Sequence, residues 1–462
     1  MNSLNFKRNI YYQTLRLLEL SNVVFLLGPR KCGKTFALRQ IDEDCSNIQY
    51  VDFKLLSKEQ SMDTVNALCS NILSGAKVTY LLDEVTHAFF PEVEIAKIAS
   101  TYTEAKQRGV DVQTKLVLAG SQSVALEAWG RRAFCNQAMF LKADFLSYSE
   151  WLKFKGREDV TAQSYQDFLS GTSEFYHFTT VEEYLRGCLD ETVVSNANSR
   201  NYIYGNDVEL VEIDTLMDIL YLCLFSLHDN LTSQAFFKKG ALSDKLIYIA
   251  RQIEHKNPMC PEEVRAKVAQ SFVGRYDNVQ ATDMETLKQC FSFLMRCGLV
   301  TATPVFPDFE QDNLNVLKHL ENDTGMFRKK SDLLGRVNFT INYPMFFVEI
   351  VNEILNGSHS KDLTGMLVGS ILECHIRGLL PSSGSYEYRD ELGREIDYIN
   401  RRDRKSVEIT ISNKNTENVH LNLIPDSEGY QKILLSRDIQ TIRDGIEMIP
   451  YYEYVYELEK RR

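Results

Sequence analysis

The sequence predicts an α/β chain with a parallel sheet near its N-terminus, and three observations carry that prediction. The apolar run Val23-Val24-Phe25-Leu26-Leu27 suits a strand buried on both faces. It leads directly into Gly28-Pro29-Arg30-Lys31-Cys32-Gly33-Lys34-Thr35, after which Phe36, Ala37, Leu38 and Ile41 follow at helical spacing. Two more apolar runs, Lys77-Val78-Thr79-Tyr80-Leu81-Leu82 and Lys115-Leu116-Val117-Leu118-Ala119, then end in polar residues. With 462 residues, 44% hydrophobic and 25% charged, the chain can bury several cores and has room for about three domains.

Gly28 to Thr35 is a complete G-x-x-x-x-G-K-[ST] phosphate loop in its strand-loop-helix setting. The two glycines let backbone N–H groups turn toward phosphate oxygens at a helix N-terminus. Lys34 is placed to reach the β- and γ-phosphates and the Thr35 hydroxyl to ligate Mg²⁺. The nucleotide-binding set is therefore Gly28, Pro29, Arg30, Lys31, Cys32, Gly33, Lys34, Thr35 and Phe36, and the cofactors are ATP and Mg²⁺. Asp83 and Glu84 close the second strand. At the carboxyl edge of a parallel sheet, Asp83 holds Mg²⁺ through its water shell and Glu84 polarises the attacking water.

After the third strand comes Gly120-Ser121-Gln122-Ser123. Ser121 has two readings: a γ-phosphate sensor at the strand tip, or the N-cap of a helix beginning near Val124. Arg131, in Gly130-Arg131-Arg132, is either an arginine finger or ordinary surface.

These residues resemble a family of bacterial and archaeal AAA-type ATPases that carry a C-terminal domain of restriction-endonuclease-like fold. The resemblance rests on Gly28-Pro29-Arg30, Gly33-Lys34-Thr35, Leu82-Asp83-Glu84, Gly120-Ser121 and Gly130-Arg131. It extends to Leu146-Ser147-Tyr148-Ser149-Glu150-Trp151-Leu152, with Phe145 where the family usually has Pro. It implies a P-loop AAA-type ATPase domain over 1–155, a helical connecting or lid segment over 156–235 and a winged-helix-like domain over 236–306. A linker and helix follow over 307–360, and the nuclease-like domain takes 361–462.

Within the middle, residues 164–169, 180–191 and 211–228 have helical spacing. Between residues 236 and 300 stand ten Lys or Arg and seven acids, a local excess of +3 in a chain of net charge −11. That net charge excludes coating of nucleic acid by overall charge. Thr282 and Glu285 form a capping box ahead of Leu287, Cys290, Phe291 and Leu294, Gly298 ends the helix, and residues 299–305 read as a strand. Helix then hairpin strand is the shape of a winged helix. Double-stranded DNA is the partner that shape takes, although only Lys288 and Arg296 on the helix are basic; the other reading is a packing module between domains.

In the last region a helix over 363–380 precedes strands at 386–389, 395–400 and 406–411. This order looks like the restriction-endonuclease-like core, in which an Asp and a Glu-x-Lys bind Mg²⁺. Asp397, Glu408 and, from the helix, Glu373 stand at suitable positions. Thr410 replaces the Lys, and Lys414 lies too far along the strand to substitute, so a domain that keeps the shape without the activity is expected.

Three functions compete: an ATPase whose nucleotide state drives conformational change, an ATP-binding switch or scaffold with slow turnover, and an ATP-regulated nuclease. A homo-oligomer or a protein partner accompanies the first two. The ten cysteines never fall as Cys-x-x-Cys, and no apolar run approaches a membrane span. No secretory leader is visible, so a soluble cytoplasmic protein with no membrane contact is expected.

Overall fold

The computed structural model describes residues 6–171, 180–198, 210–223, 274–275, 277–306, 337–354, 361–381, 384–390, 392, 394–414, 416 and 419–461. They divide into two compact units, Met1–Glu150 with Tyr184–Val208, and Trp151–Glu183 with Glu209–Arg462.

The first unit alternates helix and strand: α1 (Asn9–Leu20), β1 (Val23–Leu27), α2 (Lys34–Asp44), β2 (Ile48–Asp52), α3 (Lys58–Ser74), β3 (Thr79–Asp83), α4 (Pro91–Gln107), β4 (Lys115–Ala119), α5 (Ser123–Phe134) and β5 (Met139–Lys142). The strands form one sheet in the order β2-β3-β4-β1-β5, and every pairing is parallel. β1 lies between β4 and β5, so both its faces and both its edges are covered, which is why it reads as an unbroken apolar run. Its Phe25 stacks on Phe140 and receives α5 at Gly130, where a Cβ would come within 2.7 Å of the ring. Burial of Leu68, Ile72, Leu82, Ile98, Leu118 and Trp129 completes the core between the sheet and α3, α4 and α5.

Two helices run across the division between units, α6 (Tyr148–Lys155) and α8 (Val181–Asn198), with α7 (Ala162–Gly171) between them. Within the segment expected as a connecting lid, α7 belongs to the second unit and the described residues 184–198 to the first. Of the helix expected over 211–228, the described part is α9 (Ile213–Cys223).

The second unit continues with α10 (Met284–Arg296), β6 (Val300–Phe306), β7 (Val337–Ile341), α11 (Pro344–Ile354), α12 (Lys361–Leu379), β8 (Ser385–Arg389), β9 (Glu395–Asn400), β10 (Lys405–Glu408), β11 (Gln431–Ser436), β12 (Thr441–Arg443), β13 (Ile446–Pro450) and α13 (Tyr451–Lys460). α10 is capped by Asp283, whose carboxylate accepts the N–H groups of Glu285 and Thr286. The expected Thr282 and Glu285 box is corrected by one residue, because Thr282 donates back to Asn278 O instead. Gly298 follows with φ +72°, the left-handed turn that ends the helix.

β6 and β7 pair antiparallel, and β6 also pairs parallel with β8. All eight strands form one sheet, β12-β13-β11-β10-β9-β8-β6-β7. The boundaries drawn from sequence at 306 and 361 therefore fall inside a continuous sheet. The whole of residues 236–273 and of 307–336, which carry other parts of that reading, lies outside the described residues. The strand expected to reach Ile411 ends at Glu408, where the chain bends. α7 and α12 are joined by Tyr165, stacked on His375 with its hydroxyl 2.9 Å from Nδ1.

Candidate nucleotide site

The loop between β1 and α2 adopts the conformation its glycines permit. Gly28 has φ +151° and Gly33 φ +96°, and a Cβ on Gly28 would stand 2.1 Å from the Ala143 carbonyl oxygen. Ser123, at the start of α5, accepts the Gly28 N–H and donates to the Gly28 carbonyl, both at 2.6 Å. Lys34 is buried, and its ammonium donates to the carbonyls of Gly28 and Pro29, each at 2.8 Å, with Cys32 Sγ at 3.8 Å. The ammonium thus rests on its own loop. Pro29 and Arg30 continue the turn, Lys31 takes a left-handed φ of +59°, Cys32 is buried, Thr35 is half-buried and Phe36 is exposed.

β3 delivers the acids. Asp83 is buried at the strand end, accepting the Tyr50 hydroxyl at 2.9 Å and the Glu84 N–H at 3.0 Å. Burial and the neighbouring Asp83 charge push the Tyr50 phenol well above its ordinary range, so it stays a donor. Glu84 leaves the strand with φ +49°, a left-handed conformation that costs a non-glycine residue about 1–3 kcal/mol. Its Oε2 accepts Ser121 Oγ at 2.9 Å and Ser121 N at 3.2 Å. Burial raises the Glu84 carboxyl above the ordinary range, as does Glu191; Lys34 and the Ser121 hydrogen bond oppose them. The N-cap alternative for Ser121 is corrected: α5 begins at Ser123, and Ser121 turns to Glu84 because β4 and β3 are adjacent.

Arg131 sits on the exposed side of α5, paired with Glu127 at 2.7 Å and lying over the Phe140 ring. Oxygen donors alone, the Thr35 hydroxyl and the Asp83 carboxylate, suit a hard divalent ion such as Mg²⁺.

Several residues that shape the site went unassigned in the sequence. Arg8, just before α1, donates to the carbonyls of Cys32 and Asp144 and forms a 2.7 Å ion pair with Glu150. Glu150 also accepts the N–H groups of Asn9 and Ser147. Burial works to raise this carboxyl, yet Arg8 and the two N–H donors hold it below the ordinary range. From α8, the Tyr184 hydroxyl donates to Arg30 O, Thr192 accepts Gln122, and Glu191 accepts Arg30 Nε at 2.9 Å. The conspicuous signal was Glu150 in its resembling stretch; Arg8 and Glu191 are lone charges with no spacing to mark them.

In the second unit two of the three carboxylates expected as a degenerate nuclease site, Glu373 and Asp397, meet a guanidinium together with Glu387, whereas Glu408 is held elsewhere, by Lys414 and the His420 N–H. Buried Arg377 lies 2.9 Å from Glu373, 2.8 Å from Glu387 and 3.8 Å from Asp397. Burial and the nearby Glu373 charge raise the Asp397 carboxyl well above its ordinary range, with Arg377 opposing. Asp397 accepts Ile409 N at 2.6 Å, and Glu408 accepts His420 N at 2.9 Å. One expectation is corrected: Lys414 does reach Glu408, at 3.2 Å, because β10 stops there and the chain folds back. Among the described residues no group of three or more His, Cys, Asp or Glu is arranged to hold a metal ion.

A glycine-bearing phosphate loop on an interior strand of a parallel sheet, with paired acids two strands over across β4, defines a class of nucleotide-binding α/β domain. Residues 20–152 match the family model described as an AAA domain, so this part of the chain is similar to AAA domains. The match spans less than a third of the chain. Among solved structures, the chain is similar to a Walker-type ATPase of Pyrococcus abyssi at 14% identity, over 75% of this chain and 96% of that one, with a TM-score of 0.32. It is similar to a DNA replication initiation factor at 14% identity, over 71% and 90%, with a TM-score of 0.22. A third likeness is the ADP form of the Aeropyrum pernix ORC2 protein, at 13% identity over 78% and 92%, with a TM-score of 0.25. No curated protein matches the sequence.

Proposed function

We propose that this protein binds and hydrolyses ATP with Mg²⁺ and that its nucleotide state drives a conformational change. The carrying observation is the convergence, at the carboxyl ends of three neighbouring parallel strands, of the 28–35 loop, Ser121, and Asp83 with Glu84. In this reading Lys34 exchanges its loop carbonyls for the β- and γ-phosphates. Thr35 and Asp83 hold Mg²⁺, which when bound neutralises charge on the phosphates. Glu84 orients and polarises the attacking water, Ser121 sets its carboxylate, and Arg131 acts as a finger on a neighbouring subunit of a homo-oligomer. Lys34→Ala is expected to abolish binding of radiolabelled ATP. Glu84→Gln is expected to keep binding and lose about 100-fold or more of turnover; turnover at the wild-type rate would refute the assignment.

A second reading, an ATP-held switch with slow turnover and a protein partner, is favoured by the capture of Glu84 by Ser121. The 361–462 region is proposed as a nuclease-like shape without nuclease chemistry. Its helix followed by strands in the order β8-β9-β10-β11 supports the shape, and the guanidinium among Glu373, Glu387 and Asp397 supports the silence. The positive excess over 236–300 and the α10, β6, β7 succession make double-stranded DNA the macromolecule to add first to the ATPase assay. Nine free cysteines among the described residues fit the reducing cytoplasm, and no described helix is long and apolar enough to cross a membrane.

A further inference from the structure

The Arg30 side chain leaves the loop to meet a carboxylate on another element. Its Nε lies 2.9 Å from Glu191 Oε1 on α8, and Lys54 Nζ lies 3.8 Å from the same oxygen. The Glu191 side chain is 8% exposed, yet its second oxygen, Oε2, is buried and has no hydrogen-bond partner among the described residues. A buried carboxylate oxygen without a donor is costly, so this carboxylate is held by its cations and little else. Glu84 is its near neighbour in charge. The helix is shaped for the contact: at Gly187 a Cβ would stand 2.2 Å from Arg30 Nη1, so the absent side chain admits the guanidinium. Tyr184 and Thr192 fix α8 on either side, through Arg30 O and Gln122.

We propose that Glu191 is an internal counter-anion of the nucleotide site, which holds Arg30 when no phosphate is bound and is displaced by the nucleotide's phosphates. The inference rests on the ATP-binding reading and extends it to the regulation of that site. Arriving phosphate offers Arg30 and Lys54 a stronger anion and repels Glu191 and Glu84 alike. By linkage, the affinity that Glu191 takes from the nucleotide equals the docking strength that the nucleotide takes from α8. α8 starts in the second unit and ends in the first, so the residue that senses phosphate is on the polypeptide connecting them.

The test is titration of the full chain with a fluorescent ATP analogue, with Kd read by anisotropy. Glu191→Gln is expected to bind about tenfold more tightly than wild type. The gain is expected to vanish when Arg30→Gln is already present, since the pair then no longer exists. Gly187→Ala, which leaves both charges in place and crowds Arg30 off α8, is expected to tighten binding as well. Unchanged or weaker binding by both single variants, or an equal gain from Glu191→Gln in the Arg30→Gln background, overturns the counter-anion. Failure of wild type and both variants to bind the analogue overturns the ATP reading itself, and this inference with it.

Discussion

At the scale of single residues, burial decides which carboxylates carry charge. Glu94, on the first turn of α4, faces Ser61 on α3 at 3.3 Å and is pushed up to about 7 by burial. Its folded-state value lies above its unfolded one, so the folded chain binds that proton more tightly. The stabilising contribution is complete below the ordinary carboxylate range and is lost as pH rises through about 7. Glu94→Gln keeps a partner for Ser61 and has no charge to bury. It is expected to melt about 1–3 °C above wild type at pH 8 and to converge with it near pH 5, as thermal melts across that range would record. Glu84 is raised by the same cause, with the Ser121 hydrogen bond opposing it.

At the scale of elements, the first turn of α1 and the start of α6 are tied together by Arg8 and Glu150, and the tie includes the phosphate loop through Cys32 O. Removing one member of a buried ion pair leaves the other unpaired, so Arg8→Ala is expected to cost about 3 kcal/mol in denaturant unfolding. It is also expected to weaken ATP binding, because the loop loses an anchor. Normal stability and normal affinity together would show that the tie is dispensable. The elements themselves were largely legible. β1, β3 and β4 announced themselves as apolar runs because a strand covered on both faces has no polar alternation to blur it. The 28–35 loop was legible because phosphate geometry demands fixed glycine spacing. What escaped were pairings between residues far apart in the chain: Arg8 with Glu150, Arg30 with Glu191, and β6 with β8. Local patterning carries no record of such partners. The cap of α10 was missed by a single residue, since Thr282 and Asp283 are both good caps and only the backbone turn decides between them.

At the scale of the whole molecule, the two units differ in what their carboxylates face. In the first, Asp83 and Glu84 are held by a phenol, a serine and N–H groups, all of which leave negative charge available. In the second, Arg377 faces Glu373 and Asp397 and Lys414 faces Glu408, so each acid that a nuclease would spend on metal already has a cation beside it. The protein is therefore expected to leave supercoiled plasmid intact in Mg²⁺, with no more nicking than Asp397→Ala produces. Nicking by wild type that disappears in the variant would return the second unit to the nucleases.

The parallel pairing of β6 with β8 also has a consequence for how the chain is made. β6 leaves the ribosome with one edge destined for a strand that does not yet exist, because residues 307–384 have still to be added. At usual synthesis rates of about 5–20 residues per second, that edge waits roughly 4–16 s. An apolar strand with a bare edge is a template for the wrong partner. During that interval the nascent protein is most exposed to aggregation and most in need of a chaperone.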